Sequence, residues 1–292
     1  MDDFISIFGK SVREMGGNPI LLMAGLAVGA LSLPVLAGYG EFDEAVKSIA
    51  VNYSQLILPL LIMPFITGGA LGYAAEVRNM GASSLATFID SAIKNYVKMV
   101  MAGIVSFAVF YFLITGVALL LLTGVAASPL MGSMMGLLAL GLAFLCLLSI
   151  EFYDICIVAD GSGVIASFKG SIDFVKRNLP GAAGFFIVAV ALKALVQLPL
   201  SFGLAGAMMA NESYTALVGT NASMNVTEAL SLAPVKLGMG ALLTVAAFQI
   251  IIQGFVFSFL ALLKAELYLT LKNKKKITDF DYDFSDERAP QA

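Results

Sequence analysis

Two patterns of apolar residues alternate along this chain. The first is a long run with almost no charge. Six such runs, at about 19–38, 52–75, 99–124, 129–158, 180–209 and 234–271, each reach the roughly 20 residues that an α-helix needs to cross a bilayer. The second is a short amphipathic segment. Residues 3–15 set Phe4, Ile5, Phe8 and Val12 at helical spacing against Asp3, Lys10, Arg13 and Glu14. Residues 83–98 set Leu85, Phe88, Ala92 and Tyr96 against Asp90, Lys94 and Lys98. A third segment follows the turn Asp160-Gly161-Ser162-Gly163 and ends at Lys176-Arg177-Asn178 before Pro180. The pattern predicts interfacial helices at these three places.

Punctuation refines the elements. Asn18-Pro19 opens the first run with proline at a favoured early helical position. Pro59 and Pro64 fall inside the second and are expected to kink it. The short link Val125-Ala-Ala-Ser-Pro129 makes the third and fourth runs antiparallel neighbours. The sixth run exceeds one bilayer crossing, so its end should bend or project into water. Beyond Leu271 a basic cluster (Lys272, Lys274, Lys275, Lys276) leads into an acidic, aromatic stretch, expected to be a disordered cytoplasmic tail over 272–292.

The amphipathic segments also recur. Ile5, Leu85 and Ile165 lie 80 positions apart. So do Phe8, Phe88 and Phe168, and Ser11, Ser91 and Ser171. Each segment precedes two apolar runs. Tyr73 and Tyr153 keep the spacing, and Glu266-Leu-Tyr268 matches Glu151-Phe-Tyr153 at a longer offset. The expectation is three parallel repeats, about 1–78, 79–160 and 161–271, in a single six-helix domain over 1–271.

Composition agrees with a membrane chain. Hydrophobic residues make up 59% of the 292 and charged residues 13%, against about 25% charged in soluble domains. The mean hydropathy is +0.92. The net charge of -3 and the scattered bases give nucleic acid no footprint. There is no His, which removes the commonest general acid-base and metal ligand. Cys146 and Cys156 lie ten positions apart on one helix, about 15 Å along its axis, so they cannot bridge each other. If both termini and the connections after even-numbered runs share a side, that side holds fourteen Lys and Arg; the opposite side holds Lys47 and Lys236, and Lys193 lies within a run. The asymmetry predicts a multi-pass protein of the cell membrane with both termini cytoplasmic.

The aromatic-x-x-Ser surface helices with basic ends, as in Ser167-Phe168-Lys169-Gly170-Ser171 through Lys176-Arg177-Asn178, resemble prokaryotic six-helix integral membrane proteins. They are also similar to the membrane portion attached to some glycerophosphodiester phosphodiesterases. The resemblance implies a fold over most of the chain. These residues hold no phosphodiesterase barrel, so it implies no activity.

Candidate chemistry is sparse. Lys193 sits near the middle of the fifth run, where a charge is costly. Gln249 and Gln253 on the sixth run lie at comparable depth, and the three are candidates for a midplane site for an anion or head group. The alternative is a lysine that snorkels or bonds carbonyls in a kink near Pro199. Glu151 and Asp154, at i and i+3, are candidates for a cation or proton site, or pair with Lys264 or a surface-helix base and hold the structure together. Lys94, Lys98, Lys169, Lys176 and Arg177 are expected to face anionic lipid. No phosphate loop, dinucleotide fingerprint, metal cluster or nucleophile–base pair is present, so neither catalysis nor a cofactor is expected. The sequence reading is therefore an all-α integral membrane protein that binds or transports a small molecule or lipid. The alternative is a scaffold that packs with lipid, a membrane-protein partner or another copy of itself.

Overall fold

The computed structural model describes residues 2–39, 42–210 and 237–286, and its elements are helical. The loop expected at 210–233, with the Asn211, Asn221 and Asn225 glycosylation triplets, lies outside them from residue 211 onward. Among the described residues six helical stretches are long and apolar enough to cross a membrane: Pro19–Leu36, Glu44–Met80, Leu85–Gly124, Leu130–Asp160, Leu179–Gly206 and Met239–Lys272. The chain divides into two compact units. One comprises Met1–Leu21, Leu60–Ala189 and Ser258–Ala292; the other comprises Leu22–Pro59 and Val190–Phe257.

Local chemistry sets the boundaries. Helix α1 (Asp2–Met15) ends at Gly16-Gly17. There the Gly17 and Asn18 amides donate back to Glu14 O and Met15 O, and Pro19 starts α2 (Pro19–Leu31). Pro34 follows, and the chain tightens into a 3₁₀ turn over Leu33–Tyr39. After α3 (Glu44–Asn52) a π-helical stretch, Tyr53–Ile62, contains Pro59. The wider π turn is one way a helix absorbs a ring with no N–H to donate. Pro64 sits in the first turn of α4 (Met63–Met80), where the missing donor costs little.

The second amphipathic segment departs from expectation. It is not a separate interfacial helix, because α5 runs unbroken from Leu85 to Ala127. The aligned residues explain this. Asn18-Pro19 breaks the chain after the first segment, and Asn178-Leu179-Pro180 after the third, but the second segment ends at Lys98-Met99, which has no breaker. Ser84 caps α5 by accepting from the Thr87 amide at 3.2 Å. Ser128 then closes α5 and caps α6 (Pro129–Ile150).

The fourth apolar run is broken where the sequence reading has one span. Glu151 and Phe152 separate α6 from α7 (Tyr153–Asp160). The cause lies on α8 (Val164–Arg177). Ser171 Oγ donates to Ser149 O at 2.7 Å and accepts from Phe152 N at 3.0 Å, so one hydroxyl serves both freed backbone groups. Helices α9 (Leu179–Ala210) and α10 (Met239–Asp286) complete the chain. Helix α10 runs on past Leu271 through stretches that lack Gly and Pro, where the sequence reading places a disordered tail.

In the first unit, Leu71, Tyr73, Phe152, Ile155, Ile157, Phe185, Leu263 and Leu267 are almost wholly buried. Phe152 packs on Phe174 at 4.8 Å and Phe185 at 5.2 Å between ring centroids. In the second unit the core is Leu36, Leu200, Leu237, Leu242 and Val245. There α2 and α10 touch backbone to backbone: a Cβ at Gly29 would stand 2.7 Å from Ile250 O. The face that carries Gly25 and Gly29, small residues four positions apart that let backbones approach, is where the two helices meet.

Candidate functional site

Ion-paired side chains of the first unit gather around one helix. Lys264, Tyr268 and Lys272 repeat at i, i+4 and i+8 on α10 and so form one stripe. All three meet the α6–α7 segment. Lys264 Nζ donates to Glu151 O at 2.8 Å and Asp154 Oδ2 at 3.0 Å, and lies 3.0 Å from Glu151 Oε1. Its three N–H groups are thereby accounted for. The ammonium also lies 5.9 Å from the Phe152 ring centroid and 5.5 Å from that of Phe185. Tyr268 donates to Asp160 Oδ2 at 2.7 Å and accepts from Cys156 Sγ at 3.3 Å. Lys272 pairs with Asp160.

Glu266 stands two residues after Lys264, roughly 200° round the helix. It faces other partners. Lys10 Nζ of α1 is 3.0 Å from Oε1, and Arg78 Nε of α4 is 2.7 Å from Oε2. The Arg78 contact is off the line of the N–H bond, so it is Coulombic more than a hydrogen bond. Helix α10 is thus pinned on one side to α7 and on the other to α1 and α4. The break at Phe152 lies between Glu151 and Asp154, yet both reach the same lysine. Both carboxylates, candidates for a cation or proton site, are joined to Lys264, the base the sequence reading offers as their structural partner.

The second unit holds a smaller polar spot. Gln253 Oε1 accepts from Ser32 Oγ at 2.8 Å, and Ser32 Oγ also contacts Gly29 O at 2.7 Å. Gln249, one turn away on α10, is 5% exposed, and its Oε1 has no hydrogen-bond partner among the described residues. Such an acceptor is costly to leave unpaired. Lys193 of the same unit lies exposed on α9. The structure joins Ser32 to Gln253 and puts Gln249 on the same helical face. It gives Lys193 no ion pair or hydrogen bond with either glutamine.

Of the bases expected to face lipid, Lys94, Lys169, Lys176 and Arg177 are exposed. Lys98 instead donates to Gly161 O at 2.8 Å, at the left-handed residue that ends α7 (φ +67°). The sequence reading missed Glu266, Lys10 and Arg78 as one cluster. The available signal was a carboxylate amid apolar residues, which needs a base, in a Glu-x-Tyr triplet that repeats Glu151-Phe152-Tyr153. Among the described residues no group of His, Cys, Asp or Glu is arranged to hold a metal ion.

Among the described residues these features define an all-helical arrangement with six helices long and apolar enough to cross a membrane, and a layer of paired charges, buried at Lys264 and Glu266, at the ends of three of them. The chain belongs to the family described as Domain of unknown function (DUF7847), whose profile matches residues 3–271. No curated protein and no solved structure matches it.

Proposed function

We propose that this is a multi-pass protein of the cell membrane, with both termini cytoplasmic, that binds or carries a small molecule or lipid. The observation that supports it best is Gln249, whose buried oxygen has no hydrogen-bond partner among the described residues beside the Ser32–Gln253 pair. An acceptor kept unpaired inside an apolar helix is suited to a donor that arrives from outside, such as a hydroxyl, an ammonium or a water. Lys193 is the second candidate, as a charge within a span. The partners in this reading are membrane lipids with anionic head groups and, in addition, another membrane protein or a second copy. Neither catalysis nor a cofactor belongs to it. The likeness to the membrane portion of glycerophosphodiester phosphodiesterases contributes fold alone.

Repeat architecture belongs to the same proposal. Ser91 Oγ donates to Gly68 O at 2.9 Å, and Ser171 Oγ donates to Ser149 O at 2.7 Å. Two of the three aligned serines thus bind carbonyls at nearly the same distance back along the chain, whereas Ser11 donates to Ile7 O within its own helix. The matched pair supports the second and third of the three repeats proposed in one domain over 1–271. The rival reading is a scaffold that transports nothing. What favours it is that Lys10, Arg78 and Lys264 are matched to Glu266 and Asp154 at short range, as in a lock.

Water access separates the two. With Cys146 and Cys156 replaced by Ser, Lys193→Cys and Gln249→Cys are each reconstituted in vesicles and exposed to a small, water-soluble maleimide. Rapid labelling of either is the expected result. Labelling of neither in the folded protein would sink the carrier and leave the scaffold.

A further inference from the structure

The three amphipathic segments, all in the first unit, have a second apolar face. Their inward faces are occupied. Phe8 packs on Phe259 at 5.2 Å, Phe88 lies against Gly69 of α4, and Phe168 stacks on Tyr153 at 5.0 Å. Three residues before each of these aligned phenylalanines stand Ile5, Leu85 and Ile165. They are 65%, 57% and 86% exposed. On α5 the outward residues continue as Ile89, Ile93 and Val97, all exposed at i+4 intervals. On α1 Val12 is exposed as well.

Bases border these faces. Arg13, Lys94, Lys169, Lys176 and Arg177 are exposed, and Asp90 is an exposed acid among them. Helix α5 adds a length argument. Its 43 residues span about 65 Å at 1.5 Å each, twice the roughly 30 Å of hydrocarbon. An upright helix therefore leaves its first turns outside the hydrocarbon. The exposed stripe from Leu85 to Val97 nevertheless continues into the exposed apolar face of the span at Met101, Ile104 and Val105. A surface that is apolar, edged with bases and continuous with a lipid-facing helix has the chemistry of the head-group layer.

We infer that Ile5, Leu85 and Ile165, with Ile89, Ile93 and Val97, anchor the three segments in the interface of an anionic phospholipid leaflet. Arg13, Lys94, Lys169, Lys176 and Arg177 reach the phosphates from the same faces. The inference rests on the membrane reading above and deepens its lipid contact from bases alone to named apolar anchors. It is independent of whether Gln249 or Lys193 meets a substrate.

The test uses the full chain with Cys146 and Cys156 replaced by Ser, and an environment-sensitive fluorophore on Ile5→Cys, Leu85→Cys or Ile165→Cys. A fourth label at Phe112→Cys, a position 73% exposed about two-thirds of the way along α5, is read with lipids brominated deep in the acyl chains and reports the bilayer itself. Proteins are reconstituted in vesicles of phosphatidylglycerol and phosphatidylcholine. Lipids brominated near the head group should quench the three anchor labels at least about twofold more than aqueous iodide does. Replacing Lys169, Lys176 and Arg177 by Glu should lower lipid quenching at position 165 and leave position 5 unchanged. Iodide quenching equal to that of free dye at all three positions would overturn the anchors. Shielding from both quenchers would also overturn them, in favour of a protein partner or a second copy. If the label at 112 is not lipid-quenched, the membrane reading itself fails, and that outcome is distinct from the other two.

Discussion

At the scale of the residue, single hydroxyls and single charges carry more than their size suggests, because nothing nearby can replace them. Ser171 is the clearest case. It is fully buried and serves both backbone groups freed where α6 gives way to α7. Ser171→Ala leaves an N–H and a C=O unpaired away from water, at a cost of about 1–3 kcal/mol. Ser91 makes one bond of this kind, to Gly68 O, so Ser91→Ala should cost less, about 1 kcal/mol. Thermal unfolding of the purified protein in detergent checks the order; equal losses would mean that the hydroxyl of Ser171 does not hold the break. Lys264 is the charged counterpart. Lys264→Met strands Glu151 and Asp154 together, which predicts a loss of about 3–5 kcal/mol. Replacing all three by apolar residues of similar volume removes the stranded charge and should recover most of that loss. A triple variant no more stable than the single one would mean that the ion pairs themselves, and not the avoidance of bare charge, hold the layer.

At the scale of the element, the spans were legible and their joints less so. Runs with almost no charge place the six long helices, because a bilayer-length apolar stretch has few other uses. Boundaries marked by Asn18-Pro19 and Pro180 were legible for the same reason, since proline acts locally. The break at Phe152 was not legible, because its cause is a hydroxyl that lies 19 positions further on. The unbroken α5 could have been read from the absence of a breaker at Lys98-Met99, but the repeat argued for a third surface helix. Helix contacts give a direct test of the glycine face. Gly29→Ala puts a methyl group 2.7 Å from the Ile250 carbonyl oxygen, and backbone must move, at about 1–3 kcal/mol. Gly103 on α5 has nothing within 4 Å, so Gly103→Ala should stabilise by up to about 1 kcal/mol through helix propensity. Opposite shifts in melting temperature are expected from two identical substitutions. Shifts of the same sign would mean that α2 and α10 do not meet closely at Gly29.

At the scale of the whole molecule, the paired charges and the basic bias make separate claims, and each can stand without the other. The pairing around α10 is a matter of contacts within one unit. Orientation comes from counting Lys and Arg, fourteen on one predicted side against two on the other. Lys47, paired with Glu44, is one of the two on the opposite side, while the other bases joined to carboxylates among the described residues, Lys10, Arg78, Lys264 and Lys272, belong to the fourteen. Removing them from the count leaves ten, still a strong excess, because exposed bases such as Lys94, Lys169, Lys176 and Arg177 carry the bias. Topology therefore should not depend on the buried layer. Protease-cleavable tags on both termini are expected to be cut in inside-out vesicles and protected in right-side-out ones. The same pattern should hold for any Lys264→Met protein that still folds. Tags cut on opposite sides would require an odd number of crossings, and one of the six apolar helices would then lie outside the bilayer.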